Sequence, residues 1–262
     1  MINTLNTRIA LASTFHDASG DKSIIFIKKH IKTIKNIFKS ISLVLTDKTA
    51  KKIGDFLTKN GVKIIINPTG RGSLSRKNAL IEALKISCDC FLSIDFDRLL
   101  FWLEKYPNEL LKVIKQIKQL NENDYLVIGR TDKAWNSHPT FQKIPEEETN
   151  DAISKEINKI ADVTSGCRAF GRKIALSIVK NAKAIHSGIS DTEWPMIVHL
   201  HNKANIKSIF VDGLSYETEL IFGYERAHKA QGEYEFSRTQ MKNASIKIIN
   251  QIKKDFVQNK KL

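Results

Sequence analysis

Two aspartates one residue apart, Asp95 and Asp97, close the run Cys90-Phe91-Leu92-Ser93-Ile94-Asp95-Phe96-Asp97. In an extended chain residues i and i+2 point to the same side. Both carboxylates are therefore expected to converge on one hard cation, directly or through water. Mg²⁺ or Mn²⁺ takes such oxygen ligands together with substrate phosphates. Asp97 is the first choice as metal ligand and Asp95 the second. The same spacing also suits a solvated strand end whose acids serve a turn. Upstream, Thr69-Gly70-Arg71-Gly72-Ser73-Leu74-Ser75-Arg76-Lys77-Asn78 leads into the apolar stretch beginning at Ala79. At a helix N-terminus, free N–H groups and the dipole favour a phosphate. Gly70, Arg71, Arg76 and Lys77 are thus candidates for a diphosphate. Glycine-rich loops also simply turn, and the P-loop spacing is absent.

The elements that must position these residues read as an α/β chain. Residues 8–15 form a short apolar run followed by the turn residues His16-Asp17-Ala18-Ser19-Gly20, which predicts a buried strand. Ile24, Ile27, Ile31, Ile34 and Phe38 then fall on one helical face. Residues 41–45 read as a second strand ending at Asp47, residues 48–60 as a helix stopping at Asn60-Gly61, and residues 62–66 as a third strand. Strand, helix, strand, helix, strand implies a parallel sheet with crossover helices. Ligands of such sheets bind at the carboxyl ends of the strands, which directs attention to Ser13, Thr14, Asp47 and the loop after Pro68. Residues 131–150 show no periodicity and read as a long loop, which in a compact domain is more often functional than filler. Residues 206–211 read as a late strand, Tyr216-Glu217-Thr218 as the site edge, and residues 225–260 as a helical tail that packs on the sheet or mediates self-association. The expected organisation is one domain over residues 1–222 and a helical extension over 223–262.

Composition narrows the class. The chain has 262 residues, 42% of them hydrophobic, which suits one large α/β domain. Three cysteines, Cys88, Cys90 and Cys167, cannot all be paired, and they suit a reducing compartment. Cys88-Asp89-Cys90 lacks a second Cys/His pair at zinc spacing and reads as core. No stretch approaches the roughly 20 apolar residues of a membrane span, so the expected location is the cytoplasm. The net charge of +14 favours anionic partners: nucleotide phosphates, nucleic acid, or peripheral contact with an anionic membrane. The lysines are spread along helices, which also fits a solvated face.

Taken in order, these stations resemble a GT-A fold glycosyltransferase of the nucleotide-diphospho-sugar transferase superfamily, most similar to the family-2-like enzymes that include polyprenyl-phosphate sugar synthases. Asp47 matches the acid that contacts the nucleotide base. Residues 70–79 resemble the Gly/basic segment, and Ser93-Ile94-Asp95-Phe96-Asp97 matches the DxD motif. Val127-Ile128-Gly129-Arg130 resembles the strand ending in IGxR. Asp162-Val163-Thr164-Ser165-Gly166-Cys167-Arg168-Ala169-Phe170 resembles the acceptor-side DxTSGFRxF segment. The resemblance spans residues 8–215. It implies a mixed, mainly parallel Rossmann-like sheet, a UDP- or GDP-sugar donor, a Mg²⁺ or Mn²⁺ ion, and an acceptor hydroxyl or phosphate. Departures lie in Thr14-Phe15-His16-Asp17, where the family has a Pro-x-x-Asn-Glu type turn, and in Arg98 directly after the DxD.

The resemblance also implies roles. Ser13, Thr14, Asp47, Gly70, Arg71, Arg76, Lys77, Asp95 and Arg130 would bind the nucleotide-sugar, with Asp95 on the ribose hydroxyls or on the metal through water. Thr164, Ser165, Gly166 and Arg168 would face the acceptor, with Trp135 of the 131–150 loop placed against a sugar ring or merely anchoring that loop. In an inverting enzyme the base would come from Ser190-Asp191-Thr192-Glu193, Asp191 ahead of Glu193; Asp191 also suits a helix N-cap. His201 and His228 are candidate third metal ligands or surface histidines. Two competing classes are a nucleotidyltransferase, whose basic Gly signature belongs after the first strand, and a noncatalytic anion- or nucleic-acid-binding protein, which would interleave aromatics with basic residues.

Overall fold

The computed structural model describes residues 8–185, 188–224 and 231–259. Strands β1 (Ile9–Phe15), β2 (Ser40–Thr46), β3 (Lys63–Asn67), β4 (Cys90–Asp95), β5 (Asp124–Arg130), β6 (Arg168–Gly171) and β7 (Asn205–Val211) form one sheet in the order β3-β2-β1-β4-β6-β5-β7. Every neighbouring pair is parallel except those of β6, which runs antiparallel to β4 and β5. The carboxyl ends of β1, β2, β3 and β4 therefore lie along one edge, as the sequence pattern requires. Within the expected helical extension, helix α11 (Gln231–Asn259) packs along α7 (Thr140–Ile157) and α9 (Ser190–Asn202).

Period-two alternation gives the sheet its two unlike faces. Ile9, Leu11 and Phe15 of β1 point into one core with α1 (Ser23–Ile37), α4 (Phe96–Lys105) and α5 (Pro107–Ile117). Ala10 and Ala12 point into the other, where α3 (Gly72–Leu84) lies close with Ala79, Leu80 and Ala83. Small residues on both sides set that close approach, and it fixes the start of α3 beside the ends of β1 and β2. Helices α2 (Lys51–Lys59), α6 (Asp132–Asn136), α8 (Arg172–Asn181) and α10 (Thr218–Phe222) complete the layers.

Two sequence expectations are corrected. Residues 131–150 are not a loop: α6 and most of α7 occupy them, with Thr131 capping α6 through its side chain. The helical period was hidden because Pro145 sits inside α7 and because the residues it buries before Ile153, namely Pro145, Glu146 and Thr149, leave no aliphatic stripe within 131–150. Strand β4 ends at Asp95, and Asp97 is already in the first turn of α4. The alternation argument for Asp95 and Asp97 thus does not hold, since the backbone changes from extended to helical between them.

Gly171, where β6 passes into α8, is required by contact. A Cβ there would sit 2.2 Å from the Asn121 carbonyl oxygen and 2.5 Å from the Glu122 Cα. Backbone cannot yield as a side-chain tip does, so Gly171→Ala is expected to destabilise the fold by about 1–3 kcal/mol. Urea unfolding reads this, and an unchanged midpoint would mean the β6–α8 junction is looser than described.

Candidate active site

The ends of β1, β2 and β4 and the loop after β3 enclose a cleft of about 560 Å³. Thr14, His16, Val44, Thr46, Pro68 and Thr69 wall one side of it. Gly70, Arg71 and Gly72, at the start of α3, and Asp95 and Asp97, around the start of α4, line the rest. Arg71 occupies the N-cap position of α3 and is exposed. The first N–H groups of a helix have no intrahelical partner, so this rim offers fixed and mobile positive charge to an anion.

Asp95 does not cap α4. Its carboxylate turns to Arg76, whose Nε and Nη2 donate to Oδ1 at 3.2 and 3.0 Å and whose Nη2 donates to Oδ2 at 2.8 Å. Thr14 Oγ1 donates to the same Oδ1 at 2.9 Å. Burial pushes the Asp95 pKa up, but Arg76 and Arg98 outweigh it and hold the acid well below the usual range, to about 2. An acid depressed in this way stabilises the fold above its unfolded pKa, near 3.9, and loses that contribution as pH falls toward the folded value. Its side chain is 24% exposed, and the contribution amounts to about 2 kcal/mol. Urea midpoints measured from pH 7 down to pH 2 should therefore fall most steeply below about pH 4. Asp95→Asn should flatten that slope; an unaltered slope would show that other carboxylates carry it.

Arg76 lines the cleft with its guanidinium engaged by protein partners, and Lys77 is turned to a backbone carbonyl. Arg76 Nη1 donates to Ser190 Oγ at 3.2 Å and lies 3.8 Å from Asp191 Oδ1. Lys77 Nζ donates to the Ala182 carbonyl at 2.5 Å. The two acids proposed for catalysis part company. Asp191 Oδ1 accepts from Arg168 Nη2 at 2.5 Å and lines a small cavity of about 20 Å³ with Glu146, Thr164, Arg238 and Met241. Ile189, not Asp191, occupies the N-cap of α9, so the capping alternative is set aside. Glu193 accepts from the backbone N–H groups of Lys183 at 2.7 Å and Ala184 at 3.3 Å, and burial raises its pKa. It serves the 182–184 segment and faces neither cavity.

The remaining sequence candidates are distributed as follows. Ser13 is buried and donates to the Ile94 carbonyl, tying β1 to β4. Asp47 Oδ1 accepts from Thr69 N at 2.9 Å and Thr69 Oγ1 at 2.6 Å, which holds the glycine loop; those bonds lower its pKa. Arg130 is fully buried, paired with Asp162 and Glu146 and stacked 4.5 Å from the Trp135 ring. Arg130 and Trp135 also line a separate surface cavity of about 230 Å³. Thr164 accepts from Arg130 at 2.8 Å, and Ser165 donates to the Ile128 carbonyl. Gly166 has φ +70°, and a Cβ there would lie 3.6 Å from Asp95 Oδ2, so the Thr164-Ser165-Gly166 segment lies over the Asp95–Arg76 pair. His201 packs edge-on to Phe256 at 5.3 Å, away from the cleft, and His228 lies outside the described residues.

Sequence reasoning left several neighbours of the site without a role. His16 meets Thr46 Oγ1 at 2.6 Å on the cleft wall. Arg98, 7% exposed, donates to the Ser165 carbonyl and approaches Glu217 at 4.0 Å. Ser237 of α11 reaches the cleft rim. Arg98 carried a readable signal: one cation at the head of the apolar run Leu99-Leu100-Phe101-Trp102 must bury beside a partner.

No protein-family model and no curated protein matches the chain. Among solved structures, the glucosyl-3-phosphoglycerate synthase from Mycobacterium tuberculosis in complex with uridine-diphosphate is 10% identical, with TM-score 0.58 over 94% of this chain and 80% of that one. The mannosyl-3-phosphoglycerate synthase from Rubrobacter xylanophilus is 9% identical, with TM-score 0.48 over 78% of this chain and 65% of that one. The chain has the GT-A fold.

The sequence resemblance implies a Mg²⁺ or Mn²⁺ ion, and the side chains of the cleft bear on whether one fits. Among the described residues no three His, Cys, Asp or Glu side chains cluster as a metal cage. Both Asp95 oxygens are engaged by Arg76. Asp97, on the first turn of α4, lines the cleft. Mg²⁺ ordinarily needs only one or two carboxylates when substrate phosphates and water complete its shell. The residues fit a cation that arrives with a diphosphate, and not a metal held by protein alone. Among the described residues no helix is long and apolar enough to cross a membrane.

Proposed function

We propose that this protein is a glycosyltransferase that moves a sugar from a nucleoside-diphosphate sugar to an acceptor hydroxyl or phosphate. The observation that carries this reading is the 560 Å³ cleft, which brings Gly70, Arg71 and the start of α3 together with Asp97 at the ligand edge of a GT-A sheet. Thr14, His16, Val44, Thr46 and Pro68 supply a half-apolar wall for a nucleoside. Arg71 and the N–H groups at the start of α3 take the diphosphate, and Asp97 would hold a metal ion that enters with it. When bound, that ion supplies Lewis-acid stabilisation of the leaving diphosphate. The acceptor oxygen attacks the anomeric carbon, and the bond from that carbon to the diphosphate oxygen breaks. Asp191 takes the acceptor proton on the side of Thr164 and Gly166. The neighbour bound to uridine-diphosphate makes a UDP-sugar the first donor to try, and its name makes 3-phosphoglycerate the first acceptor.

The test is thermal shift and calorimetry with a panel of UDP- and GDP-sugars, with and without Mn²⁺. Metal-dependent stabilisation by one of them, followed by release of the nucleoside diphosphate on adding acceptor, supports the reading. Salt-sensitive RNA binding with no nucleotide-sugar response would sink it in favour of an anion-binding protein.

A further inference from the structure

Two cavities of very different size, about 560 and about 20 Å³, flank the Arg76 guanidinium, and Arg76 itself lines the larger. Asp95 lines the large cleft and Asp191 the small one beneath α11. Arg76 touches both acids with different edges of one guanidinium. Nε and Nη2 take Asp95 at 2.8–3.2 Å, while Nη1 takes Ser190 Oγ at 3.2 Å and stands 3.8 Å from Asp191. Arg168 closes the row on Asp191 at 2.5 Å. The order Asp95, Arg76, Asp191, Arg168 alternates in charge, and each member is at most 24% exposed. Ser190 is itself fixed, since its N–H donates to Ser73 Oγ in the first turn of α3 at 3.1 Å. Helices α3 and α9 are thereby tied through two bonds at the wall between the cavities.

We propose that Arg76 is a positioning residue that sets the acceptor-side acid against the donor cleft. This rests on the transferase reading above. A guanidinium is a rigid planar fork with five donors, whereas an ammonium is a point charge on a flexible stem. Only the fork can hold Asp95 and Ser190–Asp191 at once. A lysine at 76 keeps the charge and releases one of the two. Displacing a reacting group by about 1 Å costs on the order of 100-fold in rate.

The experiment compares Arg76→Lys, Arg76→Gln, Asp191→Asn and the Arg76→Gln/Asp191→Asn pair. It uses UDP affinity by calorimetry and the kinetics of diphosphate release from the donor selected by the panel. Both Arg76 variants are expected to lose roughly 100-fold in kcat with donor KM within about three-fold. Adding Asp191→Asn to Arg76→Gln should cost less than about three-fold more, because residues acting as a unit are not additive. Retention of a third or more of kcat in Arg76→Lys would overturn the proposal, as would losses that multiply in the double variant. Joint loss of UDP binding and thermal stability would do the same, by showing a merely structural role. A wild-type protein that binds no nucleoside diphosphate refutes the transferase reading itself, a separate result.

Discussion

On the proposed transferase reading, Asp97→Asn is expected to reduce sugar transfer by about 10²–10³-fold and to abolish the metal dependence of nucleotide binding while the protein still folds. The asymmetry between the two acids of the motif carries this expectation. Asp95 sits where β4 ends and gives both oxygens to Arg76. Asp97 sits two residues on, in the first turn of α4, and lines the cleft. On that reading a cation entering with a diphosphate would meet Asp97 on the cleft wall, while at Asp95 it would meet the Arg76 guanidinium. An acid in a first turn also steadies its helix through the macrodipole by about 0.3–1 kcal/mol, and Asp97 adds to the field that Arg98 feels, so both enter the stability cost. Asp95→Asn should behave in the opposite way, weakening the fold by stranding Arg76 while leaving more of the metal dependence intact. Calorimetric titration of UDP with and without Mn²⁺, beside melting curves, separates the two. Metal-dependent UDP binding that persists in Asp97→Asn would remove the carboxylate from the site.

Much of the frame was legible because it depends on local pattern. The apolar run at 8–15, the helical stripe from Ile24 to Phe38 and the apolar strand from Cys90 each follow from side-chain period, and together they place Thr14, Gly70, Arg71 and Asp97 on one edge, although the change to helix after Asp95 did not show in that period. What was not legible is where a charged side chain turns. Arg71, Arg76 and Lys77 look alike in the sequence, yet Arg71 is exposed on the cleft rim, Arg76 lines the cleft while bridging two acids, and Lys77 holds the Ala182 carbonyl. The same holds for Asp191 and Glu193, which lie two residues apart on one helix and part because Arg168 draws the first and the 183–184 backbone the second. These partners are distant in the chain, so no local period encodes them. Helix α7 failed for another reason: Pro145 argued against a helix, and Glu146, a charged residue, is buried there only because Arg130 and Arg238 meet it from β5 and α11.

That last cluster carries the largest stability effect. Asp162→Ala is expected to cost about 3–5 kcal/mol, because it leaves a buried cation short of its partner. Arg130 has no exposed side-chain surface, and Asp162 accepts from its Nε at 2.8 Å, its Nη2 at 2.7 Å and its backbone N–H at 2.8 Å. Asp162 also holds Asn150 of α7 at 2.8 Å. With Asp162 gone, Glu146 alone remains to balance Arg130, and it is already shared with Arg238 of α11 at 2.6 Å. A loss of this size is a large part of the roughly 5–15 kcal/mol by which domains are stable. Arg238→Ala should cost much less, about 1 kcal/mol, because its side chain is 25% exposed and Glu146 keeps Arg130. Urea unfolding at pH 7 gives both numbers. Equal costs would mean that α11, and not the buried arginine, is what the cluster secures; a loss below about 1 kcal/mol for Asp162→Ala would mean that water reaches Arg130 and relieves it.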